Sequence, residues 1–209
     1  MGRFEYRGEL HVHRRRLPHW DIDDGIFFAT FVLKDAAARH KLAELRLEYE
    51  KQRARLDAKR ADAEAYEALS EEYFVEDLEP VLDAGYGRCE LKDPRVAQCL
   101  WDSIHHFDGL RYDIVAATVM PNHVHVVFRK LDQGQTCTGI VGSWKSFTYN
   151  AVRKQLDIRI EWQDECFDRL IRSSDELRRT MQYVLDNPVR AKLRDWPWVN
   201  ANGEWLVGL

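Results

Sequence analysis

Two apolar runs joined by two residues constrain this chain more than anything else in its sequence. Tyr112 to Met120 (YDIVAATVM) and His123 to Arg129 (HVHVVFR) flank Pro121-Asn122. Both runs are rich in β-branched residues, and so short a connection leaves only antiparallel pairing. In the second run His123 and His125 flank Val124. Residues two apart on a strand share a face, so both imidazoles reach one side while Val124 turns into the core. That is a compact way to mount two metal ligands, although a histidine pair on a half-buried strand also serves structure alone.

The rest of the pattern surrounds this hairpin. Ile26 to Leu33 (IFFATFVL) reads as a buried strand. Asp93-Pro94 starts a helix whose stripe is Val96, Leu100, Ile104 and Phe107. Ser143 to Leu156 contains a helix with Trp144, Phe147, Ala151 and Leu156 inward, and Thr136 to Gly142 is a loop or its start. Cys166 to Ile171 reads as a short edge strand. Ser173-Ser174-Asp175-Glu176 signals a helix N-terminus, and Asn187-Pro188 is expected to stop that helix near Asp186. Without the last helix the order is β-α-β-β-α-β. That is the ferredoxin-like pattern of the α+β class, an antiparallel sheet with helices on one face.

Residues 36–82 break the pattern. Ala, Glu, Lys, Arg and Leu dominate, and no Pro or Gly occurs before Pro80. The segment predicts a long helix or helical hairpin, too polar for a core and inserted into a single domain spanning 1–209. Charge is unevenly spread as well. Residues 37–83 hold 8 basic and 13 acidic side chains of a chain whose net charge is −4, so the remainder is slightly positive. Basic residues bunch at Arg14-Arg15-Arg16, around Arg169 and Arg172, and at Arg190. Local clusters rather than net charge govern phosphate affinity. No apolar run is long enough to span a bilayer and no N-terminal signal region is visible, so a cytoplasmic location is expected. The four cysteines form no C-x-x-C pair, as expected of reduced thiols.

On the last helix Tyr183 and Asn187 are i and i+4, hence on one face. A tyrosine facing a metal-bound phosphate can act as a nucleophile, and Asn187 can supply a third ligand or a hydrogen bond. Tyr149 on the preceding helix is a rival nucleophile, and local spacing does not choose between them.

Six stretches, in order, resemble the REP-associated tyrosine transposases, a branch of the single-tyrosine HUH transposases. They are Arg14-Arg15-Arg16-Leu17-Pro18-His19-Trp20, Asp93-Pro94-Arg95-Val96, Met120 to Val126 (MPNHVHV), Trp144 to Thr148 (WKSFT), Phe167 to Arg172 (FDRLIR), and Tyr183 to Ala191 (YVLDNPVRA). The likeness covers most of the chain outside 36–82. It implies that His123 and His125 are metal ligands for Mg²⁺ or Mn²⁺, with Asn187 as the candidate third, and that Tyr183 is the nucleophile. It implies cleavage of single-stranded DNA beside small REP-like hairpins, through a 5′-phosphotyrosine and a free 3′-hydroxyl, by a bacterial monomer or homodimer. Candidate DNA contacts are Arg14, Arg15, Arg16, Trp20, Trp144, Lys145, Arg169, Arg172 and Arg190. Rival readings are a catalytically inactive nucleic-acid-binding module on the same scaffold, an interaction protein working through the 36–82 arm, and a replication-initiation nuclease.

Overall fold

In the computed structural model the described residues are all of the chain except 1–3, 5, 7–10, 15–17, 37–38, 62–64, 66–67, 70–71, 133, 165, 204 and 206–209. A hairpin of β1 (His11–Arg14) and β2 (Pro18–Asp21) precedes β3 (Ile26–Val32). The helical arm follows. It contains α1 (Arg39–Lys59), a π-helical turn at Tyr73–Leu78 and the short α2 (Glu79–Asp83). Then come α3 (Pro94–His105), β4 (Tyr112–Val119), β5 (His123–Lys130), α4 (Cys137–Leu156), β6 (Phe167–Leu170), α5 (Ser174–Arg190) and β7 (Val199–Ala201).

The main sheet has the order β6-β3-β5-β4-β7, and every pairing in it is antiparallel. The four strands foreseen in the sequence thus take the ferredoxin-like order, with the fourth, first, third and second side by side. β7 extends one edge, and the β1–β2 hairpin forms a separate two-stranded sheet; neither was foreseen.

The sheet is covered twice. One face packs Phe27, Phe31, Val124, Val126 and Phe128 against Val96, Leu100 and Ile104 of α3 and Ile140, Val141 and Trp144 of α4. These are the two crossover helices. The other face packs Ile26, Phe28, Val115, Val127 and Phe167 against Leu177, Met181 and Val184 of α5. Burial on both sides explains why β3 and β5 read as near-continuous apolar runs rather than as alternating ones. A bulge between Ile114 and Ala116 shifts the β4 register and puts both Val115 and Ala116 in the α5-side cluster.

The helix starts follow from local chemistry. Asp93, Thr136 and Ser173 each accept a hydrogen bond from a backbone N–H of the first turn they precede, at 2.9, 3.0 and 3.2 Å. The end of α5 differs from expectation, because the helix runs through Asn187-Pro188 to Arg190. Pro188 falls in the last turn, where a missing N–H costs one bond and the helix is about to end. Ala191 N still donates to Asn187 O at 3.0 Å, and both Asn187 and Pro188 are buried. Tertiary burial therefore outweighs the local preference, and the extra turn keeps Tyr183 and Asn187 on one rigid element.

Candidate active site

β5 lies between β3 and β4, with His125 opposite Thr30 on one side and Thr118 on the other. Two flanking strands hold its backbone and fix where its side chains point. His123 and His125 share the face covered by α5, their ring centroids 4.7 Å apart. Both are buried.

The hydrogen bonds of Asn122 settle the His123 tautomer. The two N–H bonds of the Asn122 amide, one of them shared, face the carbonyls of Ala36, Leu82 and Tyr86 at 3.0, 3.2 and 3.1 Å, so its oxygen is the acceptor facing His123 Nδ1 at 2.8 Å. His123 Nδ1 therefore carries the proton and Nε2 carries a lone pair. His125 Nδ1 pairs with Thr30 Oγ1 at 2.7 Å. Burial pushes the His123 pKa down to about 3, with Asn187 beside it pulling the other way. His125 falls well below the usual range, first through burial and then through His123 and Arg190. Both rings are neutral near pH 7, as metal ligation requires.

From α5, Tyr183 and Asn187 reach this pair. The Tyr183 ring lies edge-on to His125, with centroids 5.4 Å apart, and edge-on to Phe28 at 5.9 Å. Asn187 is fully buried, and its amide nitrogen donates both to Tyr183 Oη at 3.1 Å and to Glu79 Oε1 at 3.2 Å. Arg190, with 52% of its side chain exposed, sits over the Tyr183 ring at 5.4 Å from the centroid. Tyr183 itself is half-buried.

Two further members were not anticipated. Glu79 and Asp83 lie four residues apart on α2, at the end of the arm. Glu79 is 1% exposed, and burial, then the neighbouring Asp83, push its pKa up to about 8, against the pull of Arg190 and Asn187. Asp83 Oδ1 is 3.9 Å from His123 Nε2, and burial raises its pKa too. Their i,i+4 spacing was present in the sequence, but 13 acidic residues in 37–83 offered no way to single them out.

The remaining sequence candidates divide. Trp144 is a correction: it is 1% exposed, packed against Phe31, Tyr112 and Phe128 on the far face, and presents no ring to a base. Tyr149 is on α4, whose buried residues pack on that same far face, and it is 37% exposed. The sheet therefore separates it from the histidines. The Lys145 ammonium, also on α4, donates to Gln163 O at 2.9 Å. Arg169 lies on the site's side, its guanidinium 5.9 Å from the Phe28 ring centroid and 3.5 Å from Glu176. Arg172 is half-buried at the start of α5, where its backbone N–H donates to Glu176 at 2.8 Å. Arg15 and Arg16 lie outside the described residues. Arg14 and Trp20 belong to β1 and β2, where only the backbone is described.

Among the described residues no group of three or more His, Cys, Asp or Glu side chains is arranged to hold a metal. A cation here would draw on the two imidazoles and the Asn187 oxygen. The local chemistry fits one. His123 Nε2 bears a lone pair, and Asn187 Oδ1 is left as acceptor because its amide nitrogen is committed. Both atoms are buried with no hydrogen-bond partner. Adjoining buried lone pairs without a donor are costly, and a hard divalent cation would relieve them.

No family model matches this chain, and no curated protein matches it. Its fold is similar to that of a solved structure described as a REP-associated tyrosine transposase bound to a REP hairpin. The identity is 18% and the TM-score 0.54, over 90% of this chain and 80% of that one. At that identity the likeness is one of fold: an α+β chain with a five-stranded antiparallel sheet.

Proposed function

We propose that this chain is a metal-dependent, single-tyrosine HUH transposase or endonuclease that nicks and rejoins single-stranded DNA. The observation that carries the reading is the meeting of Tyr183, His123, His125 and Asn187 on the α5 face of the sheet, from segments about sixty residues apart in sequence. The fold it shares with a hairpin-bound transposase supports the same reading.

His123 Nε2, His125 Nε2 and Asn187 Oδ1 would hold Mg²⁺ or Mn²⁺, which when bound withdraws charge from a scissile phosphate and steadies the leaving oxygen. Ligation by His125 Nε2 requires Thr30 Oγ1 to accept the Nδ1 proton, which its position allows. Tyr183 Oη gives its proton to solvent and attacks phosphorus, and the departing 3′-oxygen takes one up in turn. The Oη–P bond forms, the bond from phosphorus to the 3′-oxygen breaks, and that oxygen leaves as a 3′-hydroxyl. The phosphotyrosine conserves the bond for rejoining, so no high-energy cofactor is needed. Arg190 and Arg169 lie on the same face and supply positive charge to the incoming backbone. The substrate class is single strands with small REP-like hairpins. The enzyme works in the bacterial cytoplasm, as a monomer or homodimer, on one domain with the arm inserted.

Incubation with Mn²⁺ and labelled hairpin-bearing single strands tests this. The expected result is a denaturant-stable adduct, reduced at least about 10³-fold in Tyr183→Phe and unchanged in Tyr149→Phe. An adduct that survives in Tyr183→Phe ends the assignment. Hairpin binding without cleavage under any divalent cation identifies an inactive binding module instead.

A further inference from the structure

The helical arm is tied to the candidate site at both of its roots. It leaves the sheet after β3 and returns through α2 and the turn that follows. One side chain grips both ends: the Asn122 amide nitrogen donates to Ala36 O at the departure, and to Leu82 O and Tyr86 O at the return. The oxygen of that same amide holds His123 Nδ1. The second tie is Glu79. A primary amide has two N–H bonds, and those of Asn187 go to Glu79 Oε1 and Tyr183 Oη. Were Glu79 Oε1 absent, the amide would lose one of the two acceptors that fix its orientation, and its oxygen could turn away from His123.

We propose that the docked root of the arm is a positioning element for this site, and that Glu79 is its positioning residue. By accepting from Asn187, Glu79 aims the amide oxygen toward His123 and the amide N–H toward the tyrosine oxygen. Cation binding and cleavage then depend on the arm's being seated, so any partner that levers α2 off the sheet switches the site off. This rests on the transposase reading for the identity of the reaction, but not for the cation dependence.

The test measures Mn²⁺ affinity of the DNA-free protein by electron paramagnetic resonance, beside adduct formation. Glu79→Ala removes the acceptor and weakens Mn²⁺ binding by about 10- to 100-fold. Glu79→Met, closer in volume, takes its place should the smaller side chain fail to fold. Glu79→Gln keeps an acceptor oxygen and stays within about threefold of wild type, a margin much smaller than ordinary outer-shell losses. Glu76→Ala, on the exposed side of the arm, leaves both readouts unchanged. Wild-type affinity in Glu79→Ala, or in the Met variant if that is the one that folds, overturns the proposal. So does a Gln variant as damaged as Ala, since charge and not hydrogen-bond acceptance would then be what Glu79 supplies. If wild type forms no adduct yet loses Mn²⁺ on Glu79→Ala, the transposase reading falls and the positioning role stands. A wild type that binds no Mn²⁺ ends both.

Discussion

The two faces of the central sheet are built to different standards. On the α3–α4 face the polar atoms around Trp144 are provided for. Tyr112 Oη donates to Ile104 O, Trp144 Nε1 donates to Tyr112 Oη, and both Ser103 and Thr148 hydroxyls donate to Trp144 O. On the α5 face the apolar cluster is smaller, and a polar set is buried beside it. There the side chains of Glu79, Asp83, His123 and Asn187 each have a buried atom with no hydrogen-bond partner. Buried polar atoms without partners cost stability. Among the described residues the aromatic cluster opposite has Trp162 Nε1, beside Phe31, in that condition, but only the α5 face gathers four such residues around one point, which marks it as the candidate site.

The comparison can be broken at several points. The largest effect is expected from Trp144→Ala, which empties the centre of the α3–α4 face and destabilises by about 3–5 kcal/mol. Urea unfolding measures it, and the folded fraction should bind Mn²⁺ as wild type does. A selective loss of cation affinity would show that the faces are not independent. Thr30→Val is next. It leaves His125 Nδ1 without its acceptor, costs about 1–3 kcal/mol and weakens Mn²⁺ binding by about 10- to 100-fold. Unchanged affinity would remove Thr30 from the site.

The smallest effect is in the pH dependence of the metal-free protein. Burial raises the Glu79 pKa to about 8 in the fold, against the facing Arg190 and Asn187 and with Asp83 reinforcing it. The protonated carboxyl is the form the fold prefers. Its contribution is fully present below the ordinary carboxylate range and is lost as pH rises toward about 8. The histidines, lowered in the fold, act in the opposite sense and only below about pH 6.5, their unfolded value. Between pH 7 and 8 neither histidine opposes the Glu79 effect, which amounts to no more than about 1 kcal/mol per pH unit. Thermal unfolding should show stability falling over that interval in wild type and a flatter profile in Glu79→Gln. Equal slopes would mean that Glu79 is ionised in the fold.

Much of the architecture was legible because its signals are local. The hairpin at Pro121-Asn122, the starts of α3 and α5 and the four ferredoxin-like strands follow from turn chemistry, caps and apolar runs that neighbouring residues determine. The His-x-His face was legible for the same reason, since strand periodicity alone puts both rings together. Pro188 shows the limit of such signals: a local stop was overridden because the turn that carries Asn187 is buried.

What the sequence determined by itself was which residues belong to which element and which side chains share a face of it. It also presented Tyr183 and Tyr149 as equals in spacing, and Trp144 as a candidate for stacking. Spacing left the two tyrosines level, the resemblance favoured Tyr183, and only the tertiary structure set them apart in space, by putting α5 on the histidine face and α4 on the other, so that Tyr183 meets His125 while Tyr149 and Trp144 lie across the sheet. It alone brought Glu79, from the most acidic stretch of the chain, beside Asn187, 108 residues away. The reason is physical. Periodicity reports which way a side chain leaves its own strand or helix, whereas the choice of face and of distant neighbour is made by packing between elements, which no window of sequence contains.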